Sequence, residues 1–281
     1  DRDAVNNFIS ELQARNKDRI EFIVSFLKVE KPVAVVQQQA QPQAQTQPQP
    51  TAARSLLETL TDAGFDLRTV GVIYGQYMAG KTTLTTYLAS ELVRSGLVKD
   101  AFLFLTESNV IQGSNPLIER IRKLVPNTEY VEPSIVKVRK AIARVTSSCS
   151  ECFIGLDGLG SIILHTMNEL IASEGIGTSG ETLPISSRVI PLINSLVEWV
   201  STLVVNSRST MLITAHEQQT IMRTWFGETA KPSFSSRGLH STSYVWRILV
   251  RDDGTRVIKV IANRLKPETV GKTIELPRLV I

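Results

Sequence analysis

At 281 residues with 42% apolar side chains, the chain is long enough for one large α/β domain and an appendage, and too short for two full-sized domains. Its 31 Lys and Arg against 27 Asp and Glu leave a net charge of +4, a mildly basic balance that admits a local patch for phosphate without itself establishing nucleic-acid binding. No run approaches the roughly 18 consecutive apolar residues of a membrane helix, and the polar start Asp1-Arg2-Asp3 is unlike a signal peptide. A soluble, cytoplasmic protein with no membrane role is the expectation.

From the start of the chain, Val5, Phe8, Ile9, Leu12, Ile20, Ile23, Phe26 and Leu27 recur at mostly three- and four-residue spacing, the pattern of one or two amphipathic helices. Residues 1–36 therefore read as a small helical segment for self-association or for docking a protein partner. The run Pro32-Val33-Ala34-Val35-Val36 is β-prone and is expected to add to a neighbouring sheet. Residues 37–53 are dominated by Gln, Ala, Pro and Thr, a composition that buries too little apolar surface to offset its ordering entropy, and they read as a linker.

The remainder, 54–281, alternates apolar runs with helical patterns. Strands are expected at 70–74, 101–106, 152–156, 210–214, 244–250 and 257–262. Helix-like stretches separate the first four, so the core should be a mainly parallel sheet with right-handed crossovers, flanked by helices. The last two strands bracket Asp252-Asp253-Gly254, a hairpin signal, so an antiparallel addition should close the sheet edge. The only cysteines, Cys149 and Cys152, form one C-x-x-C that leads into a strand instead of opening a helix. They read as structural thiols, since a lone pair does not complete a four-cysteine zinc site and this one lacks the helix start that a thioredoxin-like redox pair opens.

The strongest chemical signal follows the first strand of this region. Gly75-Gln76-Tyr77-Met78-Ala79-Gly80-Lys81-Thr82 matches G-x-x-x-x-G-K-[ST] in full, with Thr83 and a helical run behind it. In such a P-loop the glycines let the backbone wrap phosphates, and successive N–H groups and the helix N-terminus supply positive potential. Lys81 is expected to reach the β and γ phosphates of ATP and Thr82 to ligate magnesium. Asp157, ending the apolar run Cys152-Phe153-Ile154-Gly155-Leu156, is the expected magnesium-organising carboxylate. Glu107, at the end of the run starting at Ala101, is the expected group that orients or deprotonates attacking water. His216, in Thr214-Ala215-His216-Glu217-Gln218, is the expected γ-phosphate sensor.

This order of parts resembles the RecA superfamily, and its RadA-type recombinases above all. His240-Ser241-Thr242-Ser243 through Trp246-Arg247-Ile248-Leu249-Val250-Arg251, with Arg256-Val257-Ile258-Lys259-Val260 and Leu265-Lys266-Pro267-Glu268, is similar to the end of archaeal and eukaryotic strand-exchange proteins. The resemblance covers most of 54–281. It implies a RecA-like P-loop core, Mg-ATP hydrolysis, a homo-oligomer as filament or ring, and a role in recombination or repair. It also implies a single-stranded DNA loop over 220–238, where Arg223, Trp225, Phe226, Lys231 and Arg237 interleave cations for phosphates with rings for bases. The second DNA loop of such proteins falls at 173–187, rich in Gly, Ser and Thr. Two positions depart from the family: Met78 stands where a small residue is usual, and His216 where recombinases carry a glutamine. The resemblance further implies a residue reaching into a neighbour's site, with Arg264 and Lys266 as candidates. A KaiC-like regulatory ATPase acting on a protein partner and a hexameric helicase-type motor are the alternative readings.

Overall fold

The central strands carry apolar side chains on both faces, which is what a sheet covered on both sides by helices requires. The computed structural model describes residues 55–107, 116–174, 185–218, 231–232 and 241–279, with 174, 185–187, 218, 231 and 232 described by backbone alone. The elements in chain order are α1 (Leu56–Asp62), β1 (Val70–Gly75), α2 (Lys81–Arg94), β2 (Ala101–Leu105), α3 (Pro116–Leu124), β3 (Asn127–Tyr130), α4 (Ile135–Ser148) and β4 (Phe153–Asp157). They continue with α5 (Leu159–Glu174), α6 (Ile185–Asn206), β5 (Thr210–Gln218), β6 (Lys231–Pro232), β7 (Tyr244–Val250), β8 (Arg256–Asn263), a 3-10 turn (Pro267–Thr269) and β9 (Thr273–Glu275). The segments 1–36 and 37–53, most of the loop 220–238, and most of 173–187 lie outside the described residues.

The sheet runs β3-β2-β4-β5-β1-β7-β8-β9, with β6 beside β5. Every pairing from β3 to β7 along this order is parallel, while β8 and β9 add antiparallel. The α/β class, the mainly parallel sheet and the C-terminal hairpin therefore follow the sequence expectation. β7 joins the two parts, pairing parallel with β1 and antiparallel with β8. The turn between β7 and β8 forms at Asp252-Asp253-Gly254, with Gly254 at φ +81° and Thr255 N–H donating to Asp253 Oδ1 at 2.8 Å.

Period-two alternation sends side chains to two cores. On one face Ile73, Leu103, Phe153, Leu212, Tyr244 and Trp246 meet α1, α2 and α3 through Leu60, Leu84, Leu88, Leu92 and Ile121. On the other Val72, Phe104, Ile154, Leu156, Met211 and Ile213 meet α4, α5 and α6 through Val138, Ile142, Ile162, Val197 and Val204. Each such leucine or isoleucine contributes roughly 1.5–3 kcal/mol by leaving water. Over Arg188–Asn206, α6 is long and apolar enough to cross a membrane by length and composition. Its side chains Val189, Ile193, Leu196, Val197, Val200 and Val204 are buried in the core on that face of the sheet, which accounts for this part of the composition, while Ile190, Leu192 and Val205 are exposed.

Local signals explain the element ends. Ser55 and Glu58 form a reciprocal capping box at the start of α1. Gly155 allows α2 to approach the sheet, since a Cβ there would lie 2.4 Å from Leu103 and 2.8 Å from Thr85. Cys149 caps the end of α4 and Cys152 precedes β4; their sulfurs are bonded to each other, a correction to the free thiols expected from sequence. Bringing two cysteines three residues apart across a tight helix-to-strand turn is what places the sulfurs together.

Candidate functional site

The alternation that builds the core also aims the polar side chains. Leu105 of β2, Phe153 of β4 and Leu212 of β5 face α2, and in period two the same face is reached at Glu107, at Gly155 and Asp157, and at Thr214 and His216. These groups collect beyond the C-terminal edge of the parallel strands, at the mouth of the loop joining β1 to α2. The strand order reverses there: the chain leaves β1 for β2 on one side of the sheet and leaves β5 for β7 on the other. Such a switch point leaves a crevice between diverging connections.

The loop 75–80 leaves β1 at Gly75, where a Cβ would meet Ile248 at 2.6 Å. It enters α2 through Gly80 at φ +93°, a left-handed conformation natural to glycine. Met78 also holds a positive φ, +62°, and with Tyr77 is among the most exposed large apolar side chains. Lys81 is 7% exposed, and its Nζ donates to the carbonyls of Gly75 at 3.1 Å and Gln76 at 2.8 Å. Burial pushes the Lys81 amine below its usual range, opposed by the carboxylates of Asp157, Glu107 and Glu217.

Asp157 stands beside it. Thr82 Oγ1 donates to Asp157 Oδ2 at 2.7 Å and Thr214 Oγ1 to Oδ1 at 2.6 Å. Burial pushes the Asp157 carboxyl up, while the two threonine hydroxyls and Lys81 pull it down and Glu107 raises it further. Thr106, wholly buried, donates its hydroxyl to the carbonyls of Asp157 at 3.0 Å and Gly158 at 2.8 Å. That bridge locks the end of β2 to the end of β4 and so fixes Glu107 relative to Asp157.

Glu107 Oε1 lies 3.1 Å from His216 Nε2. The ring of His216 stacks against Tyr77, centroids 6.1 Å apart, and Gly160 at the start of α5 leaves room for it, since a Cβ there would sit 2.8 Å from Cδ2. One cavity of about 310 Å³ is lined by Tyr77, Met78, Gly80, Lys81, Thr82, Thr83, Glu107, Asp157, His216 and Arg256, with Leu117, Ile118 and Ile121 of α3 as an apolar wall. Gly75, Gln76 and Ala79 complete the loop backbone, Ala79 N–H donating to Gln76 O at 3.3 Å.

The structure thus brings Lys81, Thr82, Glu107, Asp157 and His216 together as read from sequence. Of the DNA-loop residues, Arg223, Trp225, Phe226 and Arg237 lie outside the described residues. Lys231 is described by backbone alone, in β6, where it pairs with Gln218. Lys266, one of the two candidates with Arg264 for reaching a neighbour's site, donates to Phe65 O within its own chain at 3.2 Å.

Sequence reasoning missed four groups. Thr214 was legible, two residues before His216 and hence on the same strand face. Glu217 and Arg247 form a two-bond ion pair at 2.7 and 3.0 Å, with the Glu217 side chain 5% exposed. They belong to the opposite sheet face, on β5 and β7, and flank the end of β1 at Tyr74. Arg256 of β8 donates Nε to Ala79 O at 3.1 Å. Nothing local in sequence reports either contact, because both depend on which strands become neighbours. Comparison with models of known families gives no match for this chain, and comparison with curated proteins gives none either.

Proposed function

We propose that the chain is a magnesium-dependent ATPase of the RecA/RadA type that binds single-stranded DNA. The observation that carries this reading is the convergence of Lys81, Thr82, Asp157, Glu107 and His216, from the first helix after the glycine loop and from three separate strand ends, on one cavity. Phosphate oxygens would replace the Gly75 and Gln76 carbonyls as acceptors for Lys81, while the N–H groups at the start of α2 face the same anion. A second charge-neutralising partner is required, because Asp157 and Glu107 bring two carboxylates to a site meant for a polyanion.

Magnesium fits that requirement. The Thr82 hydroxyl and the Asp157 carboxylate are adjacent, the oxygen donors this ion takes. No group of three or more His, Cys, Asp or Glu able to hold a metal occurs among the described residues. The ion would accordingly complete its shell with phosphate oxygens and water. Glu107 would accept a proton from the water attacking the γ phosphorus, and His216, held by Glu107 and Tyr77, would feel the γ-phosphate's arrival and loss. His216 lies two residues from the end of β5, whose continuation is the loop 220–238, so movement of its ring reaches that loop along one strand.

The test is magnesium-dependent ATP hydrolysis with and without single-stranded DNA, on wild type and on a variant with Arg223→Ala and Lys231→Ala. Stimulation by DNA that the variant loses supports the recombinase-like reading. Hydrolysis indifferent to DNA, with no salt-sensitive DNA binding, contradicts it in favour of an ATPase regulated by a protein partner.

A further inference from the structure

Arg256 is the basic side chain that the nucleotide reading leaves without a task. It opens β8 opposite Val250, immediately after the hairpin turn, and its carbonyl accepts from Leu276 N–H at 2.9 Å, so the backbone is held on both sides. The side chain crosses the glycine loop. Its Nε donates to Ala79 O at 3.1 Å, and a Cβ on Gly80 would fall 2.8 Å from that Nε and 3.2 Å from Cδ. Gly80 therefore serves twice, in adopting its positive φ and in leaving the channel through which Arg256 passes. Among the described residues no carboxylate pairs with Arg256 and no hydrogen bond engages its two Nη atoms, while the residue lines the same cavity as Lys81, Thr82 and Asp157.

A guanidinium is permanently charged and presents donors in a planar fork that matches two phosphate oxygens at once. We propose that Arg256 is a nucleotide ligand supplied by the chain's own C-terminal hairpin, its Nη atoms gripping polyphosphate oxygens from the Ala79 end of the loop while Lys81 works from the Gly75 end. The inference rests on the nucleotide reading above and adds a ligand that the G-x-x-x-x-G-K-[ST] motif does not contain. It also gives the β7–β8 hairpin a function, which is to hold a phosphate ligand beside the glycine loop.

The experiment is equilibrium binding of a fluorescent N-methylanthraniloyl ADP with magnesium, over a series of salt concentrations, to the full chain as wild type, Arg256→Gln and Lys81→Ala. Glutamine keeps an N–H donor near Ala79 and removes the charge. Arg256→Gln is expected to weaken binding about tenfold or more and to make it less salt-dependent, with an unchanged melting temperature in the free protein. Wild-type affinity in Arg256→Gln alongside a loss in Lys81→Ala would overturn the inference and leave the nucleotide reading standing. Weaker binding with an unaltered salt dependence would also overturn it, reducing Arg256 to a brace on the loop. No binding by wild type would remove the nucleotide reading and this inference with it. Should Arg256→Gln fail to fold, Arg256→Lys is the second variant, expected to show intermediate affinity with wild-type salt dependence; wild-type affinity there would count against a bidentate grip.

Discussion

At Asp157 two demands conflict. The proposed metal-organising role needs an ionised carboxylate, yet this one is buried and its pKa is raised by desolvation. A group whose pKa is higher folded than unfolded favours the fold most when protonated. Its contribution is fully present below the ordinary value of 3.8 and is lost as pH rises through the raised value. Lys81 has the opposite sign: burial lowers its pKa, so its contribution is present above 10.5 and is lost as pH falls through the depressed value. The two groups partly offset each other's shift, Lys81 lowering the Asp157 pKa and Asp157 raising that of Lys81. Asp157→Asn is expected to abolish stabilisation by Mg-nucleotide. Thermal melts with and without Mg-ADP measure this, and a variant that still responds to Mg-ADP as the wild type does would refute the assignment. Glu107→Gln separates binding from chemistry. Turnover should fall on the order of a hundredfold or more while nucleotide affinity stays within about threefold, and an unchanged turnover would deny Glu107 its role.

Among the elements, β1 is the one on which the site hangs. It lies between β5 and β7 and ends at Gly75, and the Glu217–Arg247 pair spans its end on the face away from α2. Removing one partner from a pair this buried leaves an uncompensated charge. Arg247→Ala is expected to lower stability by about 3 kcal/mol, read as a shift in the urea midpoint, and a loss below about 1 kcal/mol would mean the pair is solvated in solution. The strands around β1 were legible because they are buried on both faces and so are continuous apolar runs of beta-branched and aromatic residues. β3 was not: Asn127-Thr128-Glu129-Tyr130 is an edge strand in which Thr128 alone is fully buried, so it carries no alternation to detect. β9, three residues long with none fully buried, was missed for the same cause. The glycine loop, Asp157, Glu107 and His216 were legible because each lies at, or directly after, the C-terminal end of an apolar strand run. Arg256 and the Glu217–Arg247 pair were not, since a hydrogen bond between residues 79 and 256 is a property of strand order and not of any local pattern.

For the whole molecule, the sheet order explains why five residues spread over 81–216 of the chain meet in one cavity. Parallel strands deliver their C-terminal ends to the same edge, and the reversal of connection at β1 and β5 opens that edge into a crevice. The antiparallel β7–β8 hairpin is brought beside the glycine loop by the pairing of β7 with β1, which is how a C-terminal residue reaches a site begun at residue 75. Everything proposed for the molecule rests on that cavity accepting a nucleotide. Calorimetric titration of the non-hydrolysable ATP analogue AMP-PNP into the full chain, with and without magnesium, alongside Lys81→Ala, is the direct measurement. The account expects saturable magnesium-dependent binding with a Kd between about 1 µM and 1 mM that Lys81→Ala loses. Absence of binding by the wild type, or equal binding by both proteins with no need for magnesium, would contradict it.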